Sequence, residues 1–205
     1  MIHHSAQADR LRAAAAALQD KPMSLQQLFR LHGRAGPGAL LVVLAVPCLL
    51  PVPGAGVFMS MGMAMVAWMI WRHYPRLVMP RRVGRFQLSA PMARRALNTL
   101  AWLYEQASRV MRARLRWWLQ PVHRAWLAPF VAAMALIIFL PIPFGNVVPA
   151  AALLLIGLGI VFEDGLAMVA GLVLGLALVA LLVGMAGGVV HWVPALWEAW
   201  PLRPQ

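Results

Sequence analysis

Few side chains in this chain could do chemistry, and most of them stand beside breaks in apolar stretches. Glu163 and Asp164 are adjacent, and they are two of only six acids. Neighbouring positions on a helix diverge by about 100°, so these carboxylates do not face one substrate as a general acid and base would. Directly before a long apolar run they suit capping of the next helix. The alternative is a proton or cation site in a transport cycle. Met59, Met61, Met63, Met65 and Met69 include i,i+4 pairs, and such thioethers suit Cu(I). No histidine or thiol is placed to join them, so apolar packing is the expected role and no metal is expected. His3 and His4 read as a solvated terminus.

Asn146 follows Gly145 and offers an amide near membrane depth, either to a substrate or to backbone groups freed by nearby prolines. Arg34 and Arg124 each shortly precede an apolar stretch, and a guanidinium fork matches phosphate oxygens. There is no nucleophile–base pair, metal-ligand spacing or phosphate loop in the chain. Neither catalysis nor a cofactor is expected.

A pattern that occurs twice must position these residues: Leu50-Pro51-Val52-Pro53 and Leu140-Pro141-Ile142-Pro143. Each copy lies in an uncharged stretch, from about Ala35 to Trp71 and from about Ala125 to Phe162. An unbroken helix of either length would run roughly 55 Å, against ~30 Å of bilayer hydrocarbon. Two prolines one residue apart remove two amide donors and disfavour helix before them. Each stretch therefore breaks at Pro51 and Pro53, or at Pro141 and Pro143, with Gly54 and Gly145 just beyond. Broken backbone at membrane depth must be covered by protein or must line water. A shift of 90 residues superposes the breaks and also pairs Arg34 with Arg124, which reads as an internal duplication.

Composition sets the class. The 205 residues are 62% hydrophobic and 12% charged, about half the charged share of soluble domains. This is an integral membrane protein. The formal charge of +12 is concentrated, because twelve of the eighteen basic residues lie between Arg72 and Arg124. Beside apolar spans such a block marks a cytoplasmic segment on anionic lipid, and nucleic acid is not an expected partner. The single cysteine, Cys48, excludes an internal disulfide.

The expected fold is an all-α membrane protein in one domain with five regions. Residues 1–34 form an N-terminal amphipathic region, in which Ser24 and Gln27 resemble a capping box. Residues 35–75 and 125–164 are the two Pro-x-Pro-broken units, each a re-entrant or short helical hairpin. Residues 76–124 form one or two basic amphipathic interfacial helices. Residues 165–205 hold a plain transmembrane helix, Gly165–Val190, and a tail. Within it Gly171 and Gly175, then Gly184 and Gly188, are spaced for close helix packing. If residues 76–124 stay cytoplasmic, both units enter from one side; if 96–107 crosses, they are inverted. The first arrangement is expected, since arginines flank that run on both sides.

Ser24 to Val190 resembles the exopolysaccharide-synthesis ExoD family. The resemblance rests on Gly33-Arg34-Ala35-Gly36, on Leu49-Leu50-Pro51-Val52-Pro53 and on Asp164-Gly165. Its most specific part is Leu140-Pro141-Ile142-Pro143-Phe144-Gly145-Asn146 with Pro149. The chain departs from the pattern at Cys48 and across Gly54 to Val57, where polar residues are missing. The resemblance implies a multi-pass protein of the bacterial inner membrane connected with exopolysaccharide production, and it names no mechanism.

Two functions follow as expectations. One is a small transporter or translocator of an anionic or polyprenyl-phosphate-type lipid, with Arg34, Arg124, Asn146 and Asp164 as substrate contacts. The other is a non-transporting scaffold of a polysaccharide synthesis or export complex. Its partners would be anionic lipid, other subunits or further copies of itself.

Overall fold

The computed structural model describes residues 11–13, 16, 23–24, 35–49, 55–72, 87–114, 126–140 and 145–199. Six helices carry the described part of the chain: α1 (Gly36–Leu49), α2 (Ala55–Trp71), α3 (Ala90–Val110), α4 (Leu127–Phe139), α5 (Val147–Phe162) and α6 (Gly165–Ala199). A two-residue antiparallel pair, β1 (Met23–Ser24) with β2 (Gln87–Leu88), ties the N-terminal region to the start of α3. Ser24, expected to open a helix, thus pairs with Gln87; the helix expected after it lies outside the described residues.

Helix ends follow local chemistry. α1 stops two residues before Pro51, and α4 stops at Leu140, which is extended (φ −69, ψ 131) as a residue before proline must be. Pro91 and Pro149 sit in the first turns of α3 and α5, where a missing amide loses no intrahelical bond. Every helix but α3 is apolar on all sides, the pattern of a helix that meets protein on one flank and lipid on another. Gly165–Gly188 of α6 is long and apolar enough to cross a bilayer, whereas α1, α2, α4 and α5 have 13 to 17 residues and are too short to do so as straight spans.

The two expected units exchange partners. α1 of the first packs chiefly on α5 of the second, and α2 of the first packs chiefly on α4 of the second. Leu41, Met63, Val131, Met134, Ile138 and Ile156 interlock between these four helices with almost no accessible surface. The methionines scatter around α2: Met63 and Met69 are buried, Met59 and Met65 pack on the core, and Met61 is exposed. They are packing residues with no common focus.

Among the six described helices only α3 is strongly amphipathic. Ala93, Leu97, Leu100, Ala101 and Tyr104 recur at helical spacing and are buried against Ala39 and Val42 of α1 and Leu158, Val161 and Phe162 of α5. The Tyr104 ring meets the Phe162 ring edge-on, 5.5 Å between centroids. The basic amphipathic segment therefore spends this apolar face on protein, not on lipid. Its outer face carries Arg94, Arg95, Arg109 and an exposed Trp102.

Candidate functional site

The glycine contacts fix how the helix ends are grouped. Gly38, near the start of α1, lies against Gly157 and Ile160 near the end of α5. Gly56, in the first turn of α2, lies against Asn146 at the start of α5 and the carbonyl oxygen of Ile138 at the end of α4. All four outer ends thus gather at one end of the bundle, and the ends flanking the two breaks gather at the other. The adjoining Pro51, Pro53, Gly54, Pro141 and Pro143 lie outside the described residues, as do Arg34 and Arg124.

At this break junction the chain is bare. A Cβ built on Gly56 would lie 2.4 Å from Nδ2 of Asn146 and 3.2 Å from the Ile138 carbonyl oxygen, so any other residue here must displace the Asn146 amide. Asn146 stands at the N-cap of α5 in helical geometry (φ −78, ψ −21) and makes no side-chain capping bond. Its Oδ1 is buried without a hydrogen-bond partner, although the residue as a whole is only partly covered. A buried amide oxygen left unpaired costs about 1–3 kcal/mol, which a donor on water or on a solute would recover. Gly145 is likewise partly exposed beside it.

Asp164 lies at the opposite end, in the corner between α5 and α6. Glu163 closes α5 in the left-handed region (φ 55, ψ 35), and the Asp164 amide donates to the Gly159 carbonyl at 2.9 Å. Asp164 is 5% exposed, and its Oδ1 accepts from the amides of Leu166 (2.9 Å) and Ala167 (3.4 Å). That is N-capping of α6, one of the two roles open from sequence. Oδ2 accepts a third amide, from Arg112, at 3.0 Å, while the Gly165 amide donates to the Arg114 carbonyl at 2.9 Å. The arginine-rich strip beyond α3 is thereby pinned to this corner. Sequence carried no signal for the link, because the Asp164 carboxylate accepts from a main-chain amide 52 residues away, which any residue type could supply.

Asn146 and Asp164 are not brought together: they stand at opposite ends of α5, Asp164 as the cap of α6. The α6 glycines also divide. A Cβ on Gly171 would meet the Ala152 carbonyl oxygen at 2.6 Å, and one on Gly175 would meet Phe130 at 2.4 Å, so both are true contact positions. Among the described residues, nothing lies within 4 Å of a Cβ built on Gly184 or Gly188. Gly38, Gly56 and Gly157 were not read as packing positions from sequence, since their spacing matches no packing motif within one helix. Among the described residues no group of three His, Cys, Asp or Glu side chains could hold a metal ion.

The family model described as "Exopolysaccharide synthesis, ExoD" matches residues 7–184, most of the chain. No curated protein and no solved structure matches it.

Proposed function

We infer a function from one premise: the chain belongs to the exopolysaccharide-synthesis ExoD family, which ties it to that process. We propose a multi-pass protein of the bacterial inner membrane, not an enzyme, that translocates an anionic or polyprenyl-phosphate-type lipid substrate. The observation that carries this is the junction of Gly56, Asn146 and Ile138, where two helix starts and a helix end meet around an amide oxygen that lacks a donor. Substrate sites in transporters are commonly built where broken helices meet near mid-membrane, with half-helix starts turned to anionic groups. The exchange of partners between α1, α2 and α4, α5 supports reading them as duplicated hairpins that enter from one side. Asn146 is the proposed contact within the junction, with Arg34 and Arg124 as phosphate contacts. Asp164 has its carboxylate engaged by three amides and acts as a positioning residue.

The test is exopolysaccharide output and lipid translocation in vesicles for Arg34→Ala, Arg124→Ala and Asn146→Ala. Loss of both at unchanged protein level is expected. Normal translocation in all three variants would sink the proposal. The scaffold reading has one observation in its favour: no described residue lies against Gly184 or Gly188, so a partner helix would fit there.

A further inference from the structure

We propose that Arg112 and Arg114 form a clamp for the phosphate of a lipid headgroup, set in place by Asp164 at the α5–α6 corner. α3 gives way at Met111, which is extended (φ −81, ψ 136), and the strip after it runs past the corner. The Arg112 amide donates to Asp164 Oδ2 at 3.0 Å, and the Arg114 carbonyl accepts from the Gly165 amide at 2.9 Å. Both groups leave the same edge of the strip, as residues two apart in an extended chain do. The same two-residue period puts the Arg112 and Arg114 side chains on one face, with Cα atoms roughly 7 Å apart. Both residues are exposed. Two guanidinium forks at that spacing can close on one phosphate from either side.

The chain supplies this pair with no countercharge. Asp164 is 5% exposed and turns its carboxylate to three amides, and Glu105 is engaged by Arg12 and Arg109. Among the described residues no ion pair joins Arg112 or Arg114 to a carboxylate. Residues 115–125, which follow directly, contain no acid, so they bring none wherever they lie. Six acids against eighteen Lys and Arg leave a charge of +12 to be met by anions from outside the chain. At this end of the bundle the nearest such anions are lipid phosphates. Trp68, Trp71 and Trp126 are exposed there, and Arg72 lies 5.7 Å over the Trp68 ring, side chains that settle at headgroup level. The clamp lies at the other end of α5 from the Asn146 junction, and it holds whether or not the protein translocates anything.

The experiment titrates the full chain, purified in an uncharged detergent, with dioctanoyl phosphatidic acid and separately with inorganic phosphate, read as the rise in melting temperature. Arg112→Ala and Arg114→Ala keep the main-chain bonds and should each weaken phosphatidic acid binding roughly five- to tenfold. Arg95→Ala removes the same charge elsewhere on α3 and should change it by less than about twofold. Asp164→Asn still caps α6 but sets its NH₂ group against the Arg112 amide. It also removes a negative charge, so attraction by charge alone would tighten binding, whereas a positioned clamp binds more weakly. Asp164→Ser, a cap too short to reach Arg112, repeats this arm if the first variant does not fold. Losses confined to the two clamp arginines support the proposal, with or without binding of inorganic phosphate. Absent binding in the wild type, no loss in either clamp variant, or an equal loss in Arg95→Ala overturns the clamp. Binding of inorganic phosphate alone overturns the lipid as its source. Unchanged or tighter binding in the Asp164 variants overturns the positioning role.

Discussion

Gly38 and Gly157 face each other across the α1–α5 crossing so closely that a Cβ on either would lie 2.7 Å from the other's carbonyl oxygen. Backbone meets backbone there, with no flexible side chain to give way. Gly38→Ala or Gly157→Ala must push the helices apart and loosen Val42 and Ile160 as well. Each should cost about 1–3 kcal/mol by overpacking, seen as a lower melting temperature in detergent. The double variant should cost well under the sum, because one separation accommodates both methyl groups. Full additivity would show that the two glycines do not share a contact.

The Gly56–Asn146 contact makes a different prediction, since the atom in the way is the end of a side chain. Gly56→Ala places a methyl against Nδ2 and must displace the Asn146 amide, for about 1–3 kcal/mol. Truncation to Asn146→Ala removes the obstacle, so Gly56→Ala should be nearly neutral in that background. Thermal melts of the four proteins test this. Failure of Asn146→Ala to rescue would mean that the Ile138 carbonyl, not the amide, sets the limit.

How much of this was legible beforehand can be argued residue by residue. That each apolar stretch gives two short helices was readable, because Pro51, Pro53, Pro141 and Pro143 interrupt otherwise uniform sequence and proline acts on its neighbours alone. The capping by Asp164 was readable for the same reason, being local to Gly165 and the residues after it. What was not readable is everything that joins distant segments. Uniformly apolar helices carry no moment to say which flank meets which partner, so the α1–α5 and α2–α4 pairing left no trace in periodicity. The amphipathic face of α3 was visible, but a stripe of Ala, Leu and Tyr does not say whether protein or lipid will cover it. The arginines drew the reading towards lipid, and Phe162 and Val161 supplied the protein surface.

Glu105 gives the fold a pH dependence. The Arg12 guanidinium, bonded to its carboxylate, holds this carboxyl below the usual glutamate range, and Arg109, 3.5 Å away, lowers it further. A lowered folded-state value means the contribution is complete above the ordinary glutamate pKa of about 4.3 and disappears as pH falls through the lowered one. Wild type should therefore exceed Glu105→Gln in melting temperature at pH 7, by a small margin because the pair is exposed, and the two should converge in acid. A gap that widens towards low pH would have the wrong sign for this linkage.

Glu163 holds the α5–α6 corner in a backbone conformation that side chains disfavour. Both Glu163→Gly and Glu163→Ala lose whatever the carboxylate contacts, so their difference isolates the backbone. Glycine should be the more stable by roughly 1 kcal/mol, since the left-handed region costs other residues about 1–2 kcal/mol. Equal melting temperatures would indicate that the corner relaxes to negative φ at little cost.

The α6 glycines separate the two functional readings. Gly171→Leu meets the Ala152 carbonyl and should unfold the α5–α6 pair, whatever the protein does. Gly184→Leu and Gly188→Leu meet no described residue and should leave melting unchanged. Translocation through the break junction uses neither position, so both variants should keep full exopolysaccharide output. A scaffold that binds a partner helix through this face would instead lose output, because leucine blocks the close approach the glycines permit. Normal stability with lost output in Gly184→Leu or Gly188→Leu would therefore move the functional centre from the Asn146 junction to the exposed half of α6.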